Sequence, residues 1–124
     1  MTIALWCVFL AGVLPYVATL IAKGGHPGFD NRDPRGWLAQ QEGFRQRANA
    51  AQLNTFEAFP FFAVAVLTAH LLNGPQGLVD LLAVVFIAAR MLFLACYLAN
   101  RATLRSFTWF VAHGCAVAIF IVAA

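Results

Sequence analysis

Charged residues are scarce in this sequence. Asp, Glu, Lys and Arg make up 10% of its 124 residues, whereas hydrophobic residues make up 62%. A soluble globular domain carries about 25% charged residues, so this composition excludes a protein that folds in water. The apolar residues form long runs separated by short polar joints. This pattern predicts one all-α domain over residues 1–124, an integral membrane bundle of four helices.

Cysteine is also rare, and acidic residues are fewer than basic ones. The three cysteines, Cys7, Cys96 and Cys115, all lie within apolar runs, and an odd number of buried thiols excludes a disulfide framework. Eight Lys and Arg against five Asp and Glu give a net charge of +3. In a membrane protein such an excess reports orientation in the bilayer. We therefore expect no nucleic-acid partner.

Four apolar segments are long enough to cross a bilayer, since about 20 helical residues at ~1.5 Å each span a hydrocarbon core of ~30 Å. The predicted spans are residues 3–22, 48–72, 78–98 and 104–122. A cleaved signal peptide is the alternative for the first segment. We expect a span there, because no Lys or Arg precedes it and it is longer than a usual signal core. The turn sequence at 73–77 predicts that spans two and three form an antiparallel hairpin.

Basic residues cluster at two of the three joints between the spans. They are Lys23, Arg32, Arg35, Arg45 and Arg47 at the first joint and Arg101 and Arg105 at the third. The positive-inside rule then places residues 23–47 and 99–105 in the cytoplasm and both termini outside. Within the first joint, Asp33 as an N-cap and Pro34 at the first helical position predict a short interfacial helix over residues 34–41.

Polar residues in the second and third spans repeat at helical spacing. Arg47, Asn54 and Glu57 share one face of the second span, and Arg90 and Tyr97 share one face of the third. Glu57 lies about 13 Å inside the second span and Arg90 about 12 Å inside the third, at the helical rise of ~1.5 Å. An unpaired charge within the bilayer costs at least ~3 kcal/mol, so we expect a salt bridge between Glu57 and Arg90.

Two interpretations of these polar residues remain open. In the first, Glu57, Arg90 and Asn54 only lock two helices together, at roughly 0.6 kcal/mol for each hydrogen bond. In the second, they belong to a binding site for a small anion, because more polar groups gather at the cytoplasmic end than one structural pair requires. Those groups are Arg47, Gln52, Tyr97, Arg101 and, if the third helix continues that far, Arg105. Taken singly, arginines such as Arg101 are also headgroup anchors.

The histidines do not predict a metal site. His70 and His113 are expected to lie away from the polar stripe in apolar surroundings, and His26 lies in a turn. No pair of them has ligand spacing with a cysteine or a carboxylate. We therefore expect no metal ion.

Two segments resemble the MAPEG superfamily, the membrane-associated proteins in eicosanoid and glutathione metabolism, in its bacterial branch. They are RANAAQLNTFEAFPFF at 47–62 and ARMLFLACYLANRATLR at 89–105. Length, four spans and the cytoplasmic first joint agree, so the resemblance covers the whole chain. It implies a homotrimer in a bacterial inner membrane that binds glutathione as co-substrate between neighbouring subunits, near the cytoplasmic face. It also implies a lipophilic small-molecule substrate that arrives from the membrane lipids.

The resemblance also implies roles for individual residues. The residues that match glutathione-binding positions are Arg47, Gln52, Asn54, Glu57, Arg90 and Arg101. Arg105 and Tyr97 match the positions that stabilise the glutathione thiolate, which is the catalytic role. Ala50 departs from the pattern, because members with established glutathione chemistry usually carry Arg there. Ala58 and Phe93 stand where some members carry Tyr.

The implied function is that of a glutathione transferase or peroxidase, and two other functions are weighed against it. The first keeps the fold as a non-catalytic lipid-binding or anion-binding protein, which the departure at Ala50 favours. The second is a small multidrug transporter, which depends on an unpaired carboxylate in its first span. Here the first span carries no charge, and the membrane carboxylate, Glu57 in the second span, is expected to be neutralised by Arg90.

Overall fold

The computed structural model covers residues 1–124 and consists of five α-helices without any strand. They are α1 (Ile3–Lys23), α2 (Pro34–Ala39), α3 (Gly43–Leu71), α4 (Gln76–Leu98) and α5 (Ala102–Ala123). Four of them, α1, α3, α4 and α5, are long and apolar enough to cross a membrane. The chain is therefore an all-α, four-helix integral membrane protein, as its composition predicts.

Local sequence explains where several helices begin and end. Asp33 Oδ1 accepts a hydrogen bond from the Gly36 N–H at 3.0 Å and so caps α2, which ends at Ala39, earlier than the expected residue 41. The chain turns at Asn73 between α3 and α4 and at Asn100 between α4 and α5, with φ of 54° and 57°. Asn adopts this left-handed conformation more readily than most residues.

The turn at Asn100 decides to which helix the last arginines belong. Because α4 ends at Leu98, the third-span helix does not continue to Arg105. Arg101 is the N-cap residue of α5 and Arg105 lies in its first turn. The polar stripe expected on α4 therefore stops at Tyr97, and Arg105 reaches the same region from a different helix.

Small side chains line the contacts between the helices. Buried alanines include Ala4, Ala65, Ala69, Ala83, Ala112 and Ala116. In a membrane, helices associate by close packing rather than by expelling water, and small residues let them approach closely. Phe62 of α3 and Phe86 of α4 fill the centre of the bundle, with their rings stacked at a centroid distance of 3.7 Å. Large apolar residues such as Leu20, Phe110 and Ile121 are exposed, as expected on a surface that faces lipid.

Hydrogen bonds tie the helices at both ends of the bundle. At the end with the chain termini, Asp80 Oδ1 accepts from the Ala4 N–H at 2.7 Å and from Gln76 Nε2 at 2.8 Å. At the other end, the Arg45 guanidinium donates to the carbonyls of Ala22 and Gly24 at 2.8 and 2.9 Å. The arginine thereby satisfies carbonyl groups at the C-terminus of α1, which have no partner within the helix.

Candidate functional site

A cleft opens between α3, α4 and α5. Its first part, the deep cavity, has a volume of about 180 Å³ and is lined by polar groups that include Glu57, Arg90 and His113. Its second part, the shallow cavity, has a volume of about 200 Å³, lies nearer the joint between α4 and α5, and contains Tyr97 and Arg105. Asn54 and Trp109 line both parts. The two cavities therefore adjoin each other, and together they are called the cleft.

Arg90 is the most deeply buried charged residue of the chain, with 2% of its surface exposed. Its Nη2 donates to Asn54 Oδ1 and to Thr55 Oγ1, both at 3.0 Å. Its Nε is buried and has no partner. A guanidinium can only donate, so the atom that Asn54 turns toward Arg90 is its oxygen. The amide nitrogen of Asn54 is then left as a donor for a ligand in the cleft.

Two aromatic rings hold the two arginines of the cleft in place. The Arg90 Cζ lies 4.1 Å from the centroid of the Phe93 ring, and the Arg105 Cζ lies 4.4 Å from that of the Tyr97 ring. The two rings pack edge to face, with centroids 5.5 Å apart. A cation above an aromatic face gains about 0.5–2 kcal/mol, more where water is excluded. The packing therefore fixes two positive charges on either side of one aromatic pair.

The expected salt bridge between Glu57 and Arg90 does not form, and that prediction is wrong. The chain's one ion pair joins Arg32 and Asp30 at 3.1 Å, in the first joint. Asn54 and Thr55 lie three and two residues before Glu57 on α3, and their oxygens accept hydrogen bonds from the Nη2 of Arg90 instead. Glu57 lines the same cavity as Arg90 but is exposed and carries no hydrogen bond within the chain. Its carboxylate remains available to a positively charged group.

The structure places three of the matched residues outside this cleft. Arg47 donates from Nη2 to the Leu98 carbonyl at 3.3 Å, at the C-terminus of α4. Arg101 is exposed in the joint before α5. Gln52 lines a different cavity, of about 390 Å³, together with Arg35 and Phe56. Gln52 precedes Asn54 by two residues, which at about 100° each turns it roughly 200° around the helix.

Several residues of the cleft were not predicted from the sequence, and Trp109 and His113 are the two with polar rings. Trp109 lines both cavities, and His113 lines the deep one, so the expectation that His113 lies away from the polar residues is wrong. A signal for both was present. Arg105, Trp109 and His113 follow each other at intervals of four residues, which places them on one face of α5.

The fold and the cleft together define a class of protein. It is an integral membrane bundle of four helices whose cleft holds two fixed guanidiniums, an unpaired carboxylate and a free amide. The chain belongs to the MAPEG family, whose model matches residues 3–124. The resemblance of the two polar segments is thereby confirmed. Comparisons with curated proteins and with solved structures gave no match.

Proposed function

We propose that this MAPEG protein is a glutathione-dependent enzyme that conjugates glutathione to, or uses it to reduce, a lipophilic substrate from the bilayer. The observation that carries the proposal is the cleft itself, in which Asn54, Glu57 and Arg90 lie beside Tyr97 and Arg105. Glutathione has two carboxylates, one ammonium group and one thiol. The cleft contains two cations, one of which lies next to a phenol, and one free anion.

The charges of the cleft suggest how glutathione would bind. Arg90 suits one of its carboxylates, Glu57 suits its ammonium group, and the Asn54 amide suits a peptide carbonyl. A free thiol has a pKa of about 8.5, and a neighbouring positive charge lowers it. Arg105, held against Tyr97, would therefore raise the fraction of thiolate at neutral pH. The thiolate then attacks an electrophilic carbon or the oxygen of a hydroperoxide.

We propose further that the protein acts as a homotrimer with glutathione between neighbouring subunits. Residues that match one binding site lie on opposite faces of α3, because Gln52 faces a different cavity from Asn54 and Glu57. Gln52 Oε1 is buried without a hydrogen-bond partner. One subunit presents only one of these two faces to a given ligand. Where two subunits adjoin, one would contribute the Asn54 face of its α3 and the other the Gln52 face. In this arrangement the joints with Arg35 and Arg105 face the cytoplasm.

Calorimetric titration of the purified protein in detergent with glutathione tests binding directly. We expect binding by the wild type and a loss of at least about tenfold in affinity for Glu57→Gln, since a charge-assisted hydrogen bond contributes ~1.5–3 kcal/mol. Glu42→Gln is the matched control, because it makes the same change at an exposed carboxylate outside the cleft. If the wild type does not bind glutathione, or if the control loses as much affinity as Glu57→Gln, the proposed function is wrong.

A non-catalytic anion-binding function is favoured by one observation, which is that Ala50 supplies no guanidinium near the second-span residues. The variant Ala50→Arg tests whether this missing cation matters, and activity of the wild type separates the two functions. If the missing cation limits glutathione affinity, this variant should bind glutathione about tenfold more tightly, within the range of a charge-assisted hydrogen bond. Wild-type protein that binds glutathione yet shows neither conjugation nor hydroperoxide reduction would support the non-catalytic function.

A further inference from the structure

His113 lies in the deep cavity beside Glu57 and Arg90, and the proposed function gives it no role. It forms no hydrogen bond or ion pair within the chain; of the three histidines, only His26 has a side-chain hydrogen bond, which its ring nitrogen accepts from the Gly28 N–H. A polar ring with no partner, facing a cavity within a membrane domain, is a candidate for contact with a ligand.

Aromatic neighbours fix the plane of the His113 ring. The Trp109 ring stacks on it with a centroid distance of 5.0 Å and an angle of 6° between the planes. The Phe61 ring stacks on it at 5.3 Å and 16°. Because these rings pack against its faces, His113 can offer a ligand only its edge. The edge carries the two ring nitrogens, which are its hydrogen-bonding atoms.

The position of His113 suits a molecule that comes from the bilayer. His113 lies eleven residues after the start of α5 at Ala102, about 16 Å along the helix axis at a rise of ~1.5 Å, near the middle of the hydrocarbon core. Its side chain is exposed on the surface of the subunit as well as lining the cavity. Ala58, Ala112 and Ala116 line the same cavity, and their small side chains leave space there. A lipid tail can therefore reach this end of the cleft from the side.

We propose that His113 selects lipid hydroperoxides as the second substrate and transfers a proton in their reduction; this rests on the proposed function. A neutral imidazole has one N–H donor and one acceptor nitrogen. A hydroperoxide has an O–H donor and acceptor oxygens, so it complements both nitrogens. Carbonyl and halogenated electrophiles, the substrates of conjugation, offer acceptors only. The edge of His113 thus favours reduction over conjugation.

The reaction balances with glutathione as the only reductant. The glutathione sulfur attacks the terminal oxygen of the hydroperoxide, an S–O bond forms and the O–O bond breaks. The products are a sulfenic acid and an alcohol, so sulfur is oxidised and the peroxide is reduced. The thiol proton has already passed to water, because Arg105 stabilises the thiolate. His113 donates its N–H proton to the departing alkoxide and takes a proton from water on its bare nitrogen. A second glutathione thiol then converts the sulfenic acid to the disulfide and releases water.

The test compares two reactions of the detergent-solubilised protein with glutathione: reduction of cumene hydroperoxide and conjugation to 1-chloro-2,4-dinitrobenzene. His113→Phe keeps an aromatic ring in the stack but removes both nitrogens. We expect its kcat/KM for the hydroperoxide to fall about 100-fold, the lower range for a general acid–base group. Its kcat/KM for conjugation and its Kd for glutathione should change less than about twofold, since no transition-state contact is lost there.

Two further variants separate a role in the reaction from a structural one. His113→Gln retains a donor and an acceptor but cannot relay a proton, so KM for the hydroperoxide should stay near the wild-type value while kcat falls about 100-fold. His70→Phe, an exposed histidine near the end of α3 and outside the cleft, is the control and should leave both reactions unchanged.

Equal losses in both reactions for His113→Phe, or no loss in either, would overturn the inference. It is also overturned if the wild type conjugates but does not reduce the hydroperoxide, in which case the proposed function stands. If the wild type does not bind glutathione by calorimetry, the proposed function fails first and the role of His113 fails with it.

Discussion

The two halves of the bundle treat their buried polar groups differently. At the end with the termini, the Asp80 carboxylate accepts from the Ala4 N–H and from Gln76 Nε2. In the other half, three buried polar atoms have no partner, and they are the Nε atoms of Arg47 and Arg90 and Oε1 of Gln52. Folded proteins rarely leave such atoms unpaired. The comparison teaches that the polar groups around Asp80 find their partners within the chain, whereas the half with the cleft keeps unpaired groups that the proposed ligand and partner subunit would satisfy.

Arg105→Ala should have the largest effect, since it removes the cation proposed to stabilise the thiolate. Removing one donor to a developing anion typically lowers kcat by about 100-fold or more, whereas glutathione affinity should fall much less. Steady-state kinetics measure kcat. Titration followed by the ultraviolet absorbance of the bound thiolate measures glutathione affinity and the thiolate fraction. Ser106→Ala, at the next position in the same cavity, shows how far a nearby change alone affects the rate. An unchanged thiolate fraction in Arg105→Ala would remove this role.

Arg90→Met tests most directly whether the buried polar groups in the half with the cleft serve binding rather than stability. It should lower glutathione affinity by about tenfold or more, because one charge-assisted hydrogen bond contributes ~1.5–3 kcal/mol. Stability should change little, since an unpaired charge within the bilayer costs ~3 kcal/mol and its removal offsets the loss of the hydrogen bonds to Asn54 and Thr55. Thr55 would still donate to the Ala51 carbonyl at 2.7 Å. Thermal unfolding in detergent and calorimetry measure the two effects, and a strongly destabilised variant that still binds glutathione would make Arg90 structural.

Asp80→Ala should show the opposite pattern. The Ala4 N–H at the start of α1 and the Gln76 amide would lose their shared acceptor, which costs about 1–3 kcal/mol for buried donors. Glutathione affinity should stay within about twofold, because Asp80 lies at the other end of the bundle and shares no partner with the cleft. Asp80→Asn retains an acceptor oxygen and should lose less stability. A change in affinity without a change in thermal stability would contradict the division between the two halves.

Much of the fold could be predicted from the sequence because it depends on local properties. Apolar length gives the four spans, and Asp33 with Pro34 gives the start of α2. In the cleft, residues one turn apart on one helix, such as Asn54 and Glu57, were correctly expected to share a face.

The rest of the site depends on contacts between atoms of different helices. The depths of Glu57 and Arg90 along their helices placed the two side chains at the same level. Depth does not determine how each helix is rotated about its axis, and so does not determine which side chains face each other. Thr55, an unremarked neutral residue, proved to be a closer partner of Arg90. Likewise the residues around His113 in the sequence are mostly apolar. Only the packing of α5 on α3 brings His113 against Phe61. Contacts of this kind require the relative positions of helices, which spacing within one helix does not contain.

The smallest effect is expected outside the membrane, where the chain has its one ion pair. The Arg32 guanidinium, by hydrogen bonds and charge, holds the pKa of the Asp30 carboxyl below its usual value. A lowered pKa in the folded state means that the pair contributes stability above the ordinary aspartate pKa and loses it as the pH falls through the lowered one. The Arg32 side chain is 92% exposed, so solvent screens the pair. We therefore expect Asp30→Asn to leave thermal stability and glutathione binding unchanged at neutral pH, and a clear drop in stability would show that charges in the loop contribute as much as those in the bundle.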